Sequence, residues 1–351
     1  MPEVKTDQRP ILVAPDAFKG TFTAAEVADA IAEGIESAGV PADRCPIADG
    51  GEGTAAVLGG ALGGLVHELE VTGPLGERVL GQFTMLGDPG TTAAASPTTA
   101  RRASRKRTPR TAIVEVASAS GLPLLAPEDR DPLRTSTVGT GELIAAAITA
   151  GAELVLVGCG GSATVDGGAG ALAAIEEDGG PRGASLLCLC DVATTWARCA
   201  AIFGPQKGAD AEGVVELERR LGDLAKTFPA DPTALPMSGA AGGLAGGLHA
   251  ALGATLQRGA PYVLNALGTD ARMQASRFVI VGEGQLDRTT LDGKAPGEFA
   301  TRARQGGVPC HAVVGRSAIE LLDARIVDLM EIIEAPTRDD LVAAGRFLAT
   351  R

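Results

Sequence analysis

Aromatic side chains are scarce in this 351-residue chain, which has eight Phe, one Tyr and one Trp. That leaves no platform on which the bases of a single-stranded nucleic acid could stack. Basic charge is short too, with 31 Lys and Arg against 43 Asp and Glu and a net charge of −12. Such a balance disfavours nucleic acid or an anionic membrane as a partner. Histidine is limited to His67, His249 and His311, isolated from one another and without metal-ligand spacing. A His-dependent nucleophilic triad is therefore not expected. The six cysteines form neither a disulfide nor a zinc framework; Cys188 and Cys190 sit in an apolar strand and read as buried thiols. An ordinary P-loop, G-x-x-x-x-G-K-[ST], is missing. No apolar run approaches the ~18 residues of a membrane span, and the polar start MPEVKTDQRP has no signal-peptide core. A soluble, cytoplasmic protein is expected.

What the chain does have is glycine, 48 residues, about twice the usual share. Hydrophobic content is an ordinary 45%, so this is a foldable chain with many special backbone positions. The stretch Glu153–Ala174, ELVLVGCGGSATVDGGAGALAA, concentrates them. Leu154–Val157 reads as a buried parallel strand. It is followed by a glycine loop carrying Ser162, Thr164 and Asp166, and then by an Ala/Leu helix pattern. Strand, glycine loop and helix together are how an α/β protein aims backbone N–H groups at an anion. A tight turn with glycines for close packing is the simpler alternative.

The same unit recurs along the chain. Strand Ile11–Ala14 runs into Asp16 and Lys19, and Thr23 with Glu26 spells a capping box for the next helix. Cys45–Ala48 ends in Asp49 and Glu52 among glycines. Residues 66–116 alternate like antiparallel strands, interrupted by a segment rich in Ser, Thr and Ala and then in Arg and Lys. That insert, residues 91–110 with the basic run Arg101–Arg110, reads as a flexible exposed loop. Ser118–Arg134 reads as loop and Leu143–Thr149 as helix. Strand Ser185–Cys190 ends at Asp191; Phe203–Gly208 carries Gln206 and Lys207; Ala211–Leu224 is an amphipathic helix. Gly239–Leu248 is either a close-packed helix or a second backbone cradle. Strand Phe278–Val281 ends in Glu283 and Asp287 with Lys294 beyond, and strands His311–Val314 and Ile326–Ile333 precede a closing helix, Arg338–Thr350. In open α/β sheets the C-terminal ends of strands are where ligands bind.

Carboxylates and lysines on glycine turns suit phosphoryl transfer. Carboxylates hold Mg²⁺ or accept a hydroxyl proton, while Lys and backbone N–H groups balance the transferring phosphate. Gly158–Ala163 also fits G-x-G-x-x-A, a weak dinucleotide signature. Its ribose-binding acid would have to be Asp178, which lies in a polar run and not at a strand end.

Six blocks in order, APDAFKG (14–20), ADGGEGT (48–54), TSTVGTGEL (135–143), GGSATVDGGAG (160–170), FGPQKGA (203–209) and GEGQLDRTTLDGK (282–294), resemble the bacterial glycerate kinase family. The resemblance spans about residues 11 to 335. It implies ATP-dependent phosphorylation of D-glycerate with Mg²⁺, 2-phosphoglycerate being favoured over the 3-phospho isomer. It also implies two α/β domains with the active site in the cleft. One is Rossmann-like with a parallel sheet and discontinuous, residues 1–65 plus 275–351; the other is a mixed α/β insert, 66–274. Partners would be small molecules, with no nucleic acid and no membrane.

At those positions chemistry divides the work as follows. Lys19, Lys207 and Lys294 neutralise phosphate or carboxylate, and Asp191 or Asp287 is the general base. Asp49 and Glu52, with Glu283 as a further candidate, face Mg²⁺. Asp16, Gly160, Gly161, Ser162, Thr164, Asp166, Gly167, Gln206, Glu283 and Lys294 bind substrate or nucleotide. Val165 and Val138 depart from the residues usual in the family, Asn and Tyr, and put substrate choice in question. The alternatives are an NAD-dependent dehydrogenase and a non-catalytic glycerate or nucleotide sensor.

Overall fold

The computed structural model describes residues 8–87 and 108–351. The expected loop and its basic run therefore lie outside the described residues up to residue 107. The chain divides into two compact units, Met1–Asp49 with Ala260–Arg351, and Gly50–Gly259. Both boundaries fall earlier than expected, for reasons of packing. Helix Thr54–Leu62 lies on strands Arg78–Met85 and Thr111–Glu115 of the second unit, and Ala55 N donates to Glu115 at 2.7 Å. Ala260, Leu264 and Met273 pack into the core of the first unit.

The first unit is built on a five-stranded sheet in the order Leu329–Glu334, Cys310–Val314, Val279–Gly282, Ile11–Pro15, Ala42–Arg44. All its pairings are parallel. Numbered by first appearance the order is 2-1-3-4-5, a doubly wound sheet whose strand order reverses between Ile11–Pro15 and Val279–Gly282. The three central strands are buried along their whole length because both faces are covered. Ile11 and Val13 face helices Ala24–Ser37 and Arg338–Leu348, and Leu12 and Ala14 face Phe299 and Ala303 of helix Ala295–Gly306. The capping box at Thr23 and Glu26 forms as the sequence indicates. The expected strand Ile326–Ile333 is instead a short helix, Leu321–Ile326, and a later strand, Leu329–Glu334, with Asp328 at φ 57° between them.

The second unit holds a six-stranded mixed sheet in the order Leu65–Thr72, Arg78–Met85, Thr111–Glu115, Leu154–Gly158, Ser185–Cys190, Thr255–Arg258. The first two pairings are antiparallel and the remaining three parallel. Helices Val138–Thr149, Ala169–Glu177 and Leu244–Leu252 contribute to its core. Residues 118–134, expected as loop, include a helical turn Ala117–Ser120 and two 3₁₀ turns. Among the described residues no helix is long and apolar enough to cross a membrane.

Helices Ala24–Ser37 and Arg338–Leu348 approach one another through glycine. A Cβ added to Gly345 would lie 2.1 Å from the carbonyl oxygen of Ile31. Gly345→Ala should cost about 1–3 kcal/mol, since backbone cannot yield as a side chain can. Gly222→Ala is the matched control. It lies in helix Ala211–Ala225 with nothing within 4 Å of the added methyl, and should stabilise by about 0.5–1 kcal/mol. Denaturant midpoints check both, and a neutral Gly345→Ala would contradict the packing described.

Candidate active site

The first unit carries a pocket of about 450 Å³, and its walls come from the residues that directly follow strands. Asp16 follows Ile11–Pro15, Glu283 follows Val279–Gly282, and Arg316 stands two residues past Cys310–Val314. Asp49, Lys19 and Lys294 complete its charged lining. The pocket thus sits at the point where the strand order reverses, the expected place for a ligand in a doubly wound fold.

Asp16 is buried, and Oδ1 accepts from Ala17 N at 2.7 Å. Burial raises its pKa well above the usual carboxylate range, the charge of Asp49 adds to this, and Lys19 only partly offsets it. Glu283 is also buried and raised by desolvation, although Thr290 Oγ1 donates to it at 2.6 Å and Lys294 Nζ at 3.4 Å. Crowded, desolvated carboxylates of this kind gain from a cation. Magnesium is commonly held by one or two carboxylates plus substrate phosphates, and the oxygen-only pair Asp16 and Asp49 suits that mode. Among the described residues no group of three His, Cys, Asp or Glu is arranged to hold a metal by itself. Glu52, expected beside Asp49 as a metal ligand, is exposed in the second unit near Gly161.

Asp287 does not line this pocket. Its carboxylate caps the turn Arg288–Asp292, accepting from Thr289 N at 2.9 Å, Thr289 Oγ1 at 2.5 Å and Gln285 Nε2 at 2.9 Å. Those hydrogen bonds, the one from the Thr289 side chain foremost, lower its pKa. The carboxylate expected as a general-base candidate alongside Asp191 is thus engaged in bracing this turn.

The second unit carries a smaller pocket of about 80 Å³, lined by Gly160, Gly161, Ser162, Asp191, Gln206 and Lys207 among others. These follow strands Leu154–Gly158 and Ser185–Cys190 or lie on the turn Pro205–Lys207. Lys207 is only 3% exposed. Nζ donates to Ser162 Oγ at 2.8 Å and to the carbonyl of Thr164 at 2.7 Å, both neutral acceptors. Burial lowers its pKa to about 8. An ammonium has three donors, so one remains for a ligand. The amides of Gly160 and Gly161 donate to no group among the described residues. Together they form a small cradle for an anion.

The rest of the glycine loop is architecture. Asp166 accepts from Thr137 N at 2.9 Å, Thr137 Oγ1 at 2.7 Å, Gly168 N at 3.0 Å and Gly170 N at 3.3 Å. It thereby ties the start of helix Val138–Thr149 to the start of helix Ala169–Glu177. That tie also explains why the first of these helices begins five residues ahead of the expected Leu143. Thr164 is fully buried, and its carbonyl, not its hydroxyl, serves Lys207. Val165 packs with Trp196, Leu217 and Leu221, so its departure from the family pattern concerns the core and not the pocket. Gly167, at φ 64°, lies against Trp196, and a Cβ on Gly247 would meet its carbonyl oxygen at 2.1 Å. The 239–248 stretch is therefore the loop's close-packed partner, with its helix at Leu244–Leu252.

The dinucleotide reading fails on the same geometry. Ala169 opens the helix, six residues past Ala163, so the G-x-G-x-x-A match does not sit at a helix start. Asp178 is the C-cap of that helix and pairs with Arg182 at 2.9 Å. Arg316 and Thr21 of the first pocket were missed by sequence reasoning. The signal for Arg316 is a strand-end glycine, Gly315, the same cue that marks Glu283.

Because its folded-state pKa is raised, Asp16 binds more protons in the native chain than in the unfolded one. Stability contributed through it is fully retained below the ordinary aspartate range and falls as pH rises. Asp16→Asn should therefore leave Tm unchanged near pH 4 and raise it increasingly toward pH 8, read by calorimetry at both ends. A pH-independent difference would contradict the assignment.

The family model described as the glycerate kinase family matches residues 11–178 and 178–346. The chain is 38% identical to the glycerate kinase of Bacillus subtilis (strain 168) over 342 residues, covering 87% of this chain and 84% of that protein. It is 36% identical to the glycerate 2-kinase of Escherichia coli (strain K12), with the same coverage of 87% and 84%. A crystal structure from Salmonella typhimurium LT2, of a protein assigned as glycerate kinase 2, superposes with a TM-score of 0.79 at 31% identity, over 98% of each chain. Matches of this length and depth, joined to charged turns at the strand ends of both sheets, place the chain in the glycerate kinase family.

Proposed function

We propose that this protein transfers the γ-phosphoryl group of ATP to D-glycerate, giving 2-phosphoglycerate. One observation carries the reading: the carboxylates and cations of the first pocket converge where the strand order of a parallel sheet reverses. The choice of the 2-hydroxyl is supported by the name of the Escherichia coli relative. Six free thiols, all buried, accord with a reducing cytoplasm.

Phosphoryl transfer asks a protein mainly for position and charge. In the first unit, Lys19 and Lys294 balance the phosphate oxygens. A Mg²⁺ ion carried with the nucleotide would be held by Asp16 and Asp49, where it neutralises phosphate charge. In the second unit, Lys207, Ser162 and the amides of Gly160 and Gly161 suit the carboxylate of a three-carbon acid. Asp191, in the same pocket, is positioned to accept the proton of the acceptor hydroxyl. Gln206 adds a neutral amide at the rim.

Coupled ADP release with D-glycerate, ATP and Mg²⁺ tests the whole reading, and turnover no faster than background would sink it. Phosphorus NMR of the product separates the 2- from the 3-phospho isomer. Lys19→Ala should lower kcat/KM at least ~10²-fold if that ammonium stabilises developing charge. Lys207 gives a pH signature. Its ammonium is present below about 8 and lost above it, so kcat/KM for glycerate should fall on the basic side with a midpoint near that value. A profile level to about pH 9.5, near the ordinary lysine range, would remove Lys207 from the acid's binding set.

A further inference from the structure

Three carboxylates share the first pocket with Arg316, yet its guanidinium pairs with none of them and makes no hydrogen bond or ion pair among the described residues. Two of the carboxylates there already accept hydrogen bonds from the protein. Asp16 takes the Ala17 amide, and Glu283 holds Thr290 and Lys294. The backbone under Arg316, by contrast, is fixed. Its amide donates to Gly284 O at 3.0 Å, Gly315 N donates to Glu283 O at 3.1 Å, and Arg316 pairs with Gln285 in a two-residue parallel ladder. Next to it Ser317 N donates to Glu334 Oε1 at 2.8 Å. A Cβ on Gly315 would lie 2.6 Å from Gly284 O, so that approach requires glycine. A rigid platform thus presents an exposed, uncommitted guanidinium to a pocket whose volume of about 450 Å³ exceeds the needs of a three-carbon acid.

We infer that Arg316 grips a phosphate of the nucleoside triphosphate through a two-hydrogen-bond fork, and so sets nucleotide affinity. The inference rests on the kinase reading and adds to it a residue that none of the six sequence blocks contains. Guanidinium is the better partner for such a grip because its planar fork matches two phosphate oxygens at once, whereas an ammonium acts as a point charge.

Equilibrium titration of the full chain with ATP and Mg²⁺, without glycerate, provides the test. A charge-assisted pair of hydrogen bonds implies that Arg316→Ala weakens ATP binding about 10–100-fold. Arg316→Lys, which keeps the charge but not the fork, should remain at least about fivefold weak. In turnover assays KM for ATP should rise while KM for glycerate stays within about twofold. The proposal is overturned if Arg316→Ala binds ATP as the wild type does, if Lys restores full affinity, or if only KM for glycerate rises, which would make the anion the acid's carboxylate. Wild-type protein that binds ATP but never phosphorylates glycerate would defeat the kinase reading and leave the role of Arg316 to the titration. Wild-type protein that does not bind ATP would defeat both. Because the side chain is exposed and unpaired, unchanged Tm in both variants separates a binding effect from misfolding.

Discussion

Desolvation of charge at the ends of buried parallel strands is the constraint on which the two pockets depend. Lys207 is almost wholly removed from water; its ammonium donates to a hydroxyl and a carbonyl and lies 5.9 Å from the centre of the Phe203 ring. Asp16 is buried with Asp49 acting against it. A solvated surface charge would be screened by water and salt; these are desolvated, and burial moves both pKa values toward neutrality. Each has a folding cost that a ligand of opposite sign would offset, so binding and charge neutralisation become the same event. Perturbed groups of this kind gather at functional sites because catalysis needs them there.

The scaffold makes such burial possible. Strands apolar on both faces need helices on both faces, and the turns that join them must leave the sheet within a few residues. Glycine permits this, as at Gly315 above Gly284, and lets a helix close on the loop at Gly247 above Gly167. The oxygen-rich carboxylate Asp166, held by four donors, then fixes two helix starts beside the loop that supports Lys207. Ser162, which meets Lys207, and Asp166, which braces, lie four residues apart in sequence on either side of Thr164, whose carbonyl serves the lysine.

Much of this is legible in the sequence. Strand Ser185–Cys190 and the capping box of Thr23 and Glu26 coincide with expectation, and strands Ile11–Pro15 and Leu154–Gly158 extend the expected ones by a residue, because period and capping are local properties. Charged glycine turns at strand ends were legible for the same reason. What sequence could not separate was a carboxylate lining a pocket from one capping a turn. Asp16 and Asp287 sit on similar turns, yet neighbouring hydrogen bonds lower one and burial raises the other. Nor did the glycine of 239–248 announce whether it cradled a ligand or another loop, since that depends on a partner some 75 residues away in the chain. Arg316 went unread because its meaning lies in an absence of partners, which only three dimensions reveal.

The most direct measurement is the titration of Lys207 itself, followed by NMR of the lysine Cε and Nζ resonances in protein labelled at lysine, with Lys207→Arg giving the assignment. One lysine signal should titrate near 8, well below the roughly 10.4 of ordinary lysines, and should move upward when D-glycerate is added. A Lys207 signal that titrates with the exposed lysines and ignores the acid would contradict the claim that a desolvated ammonium is held ready for an anion.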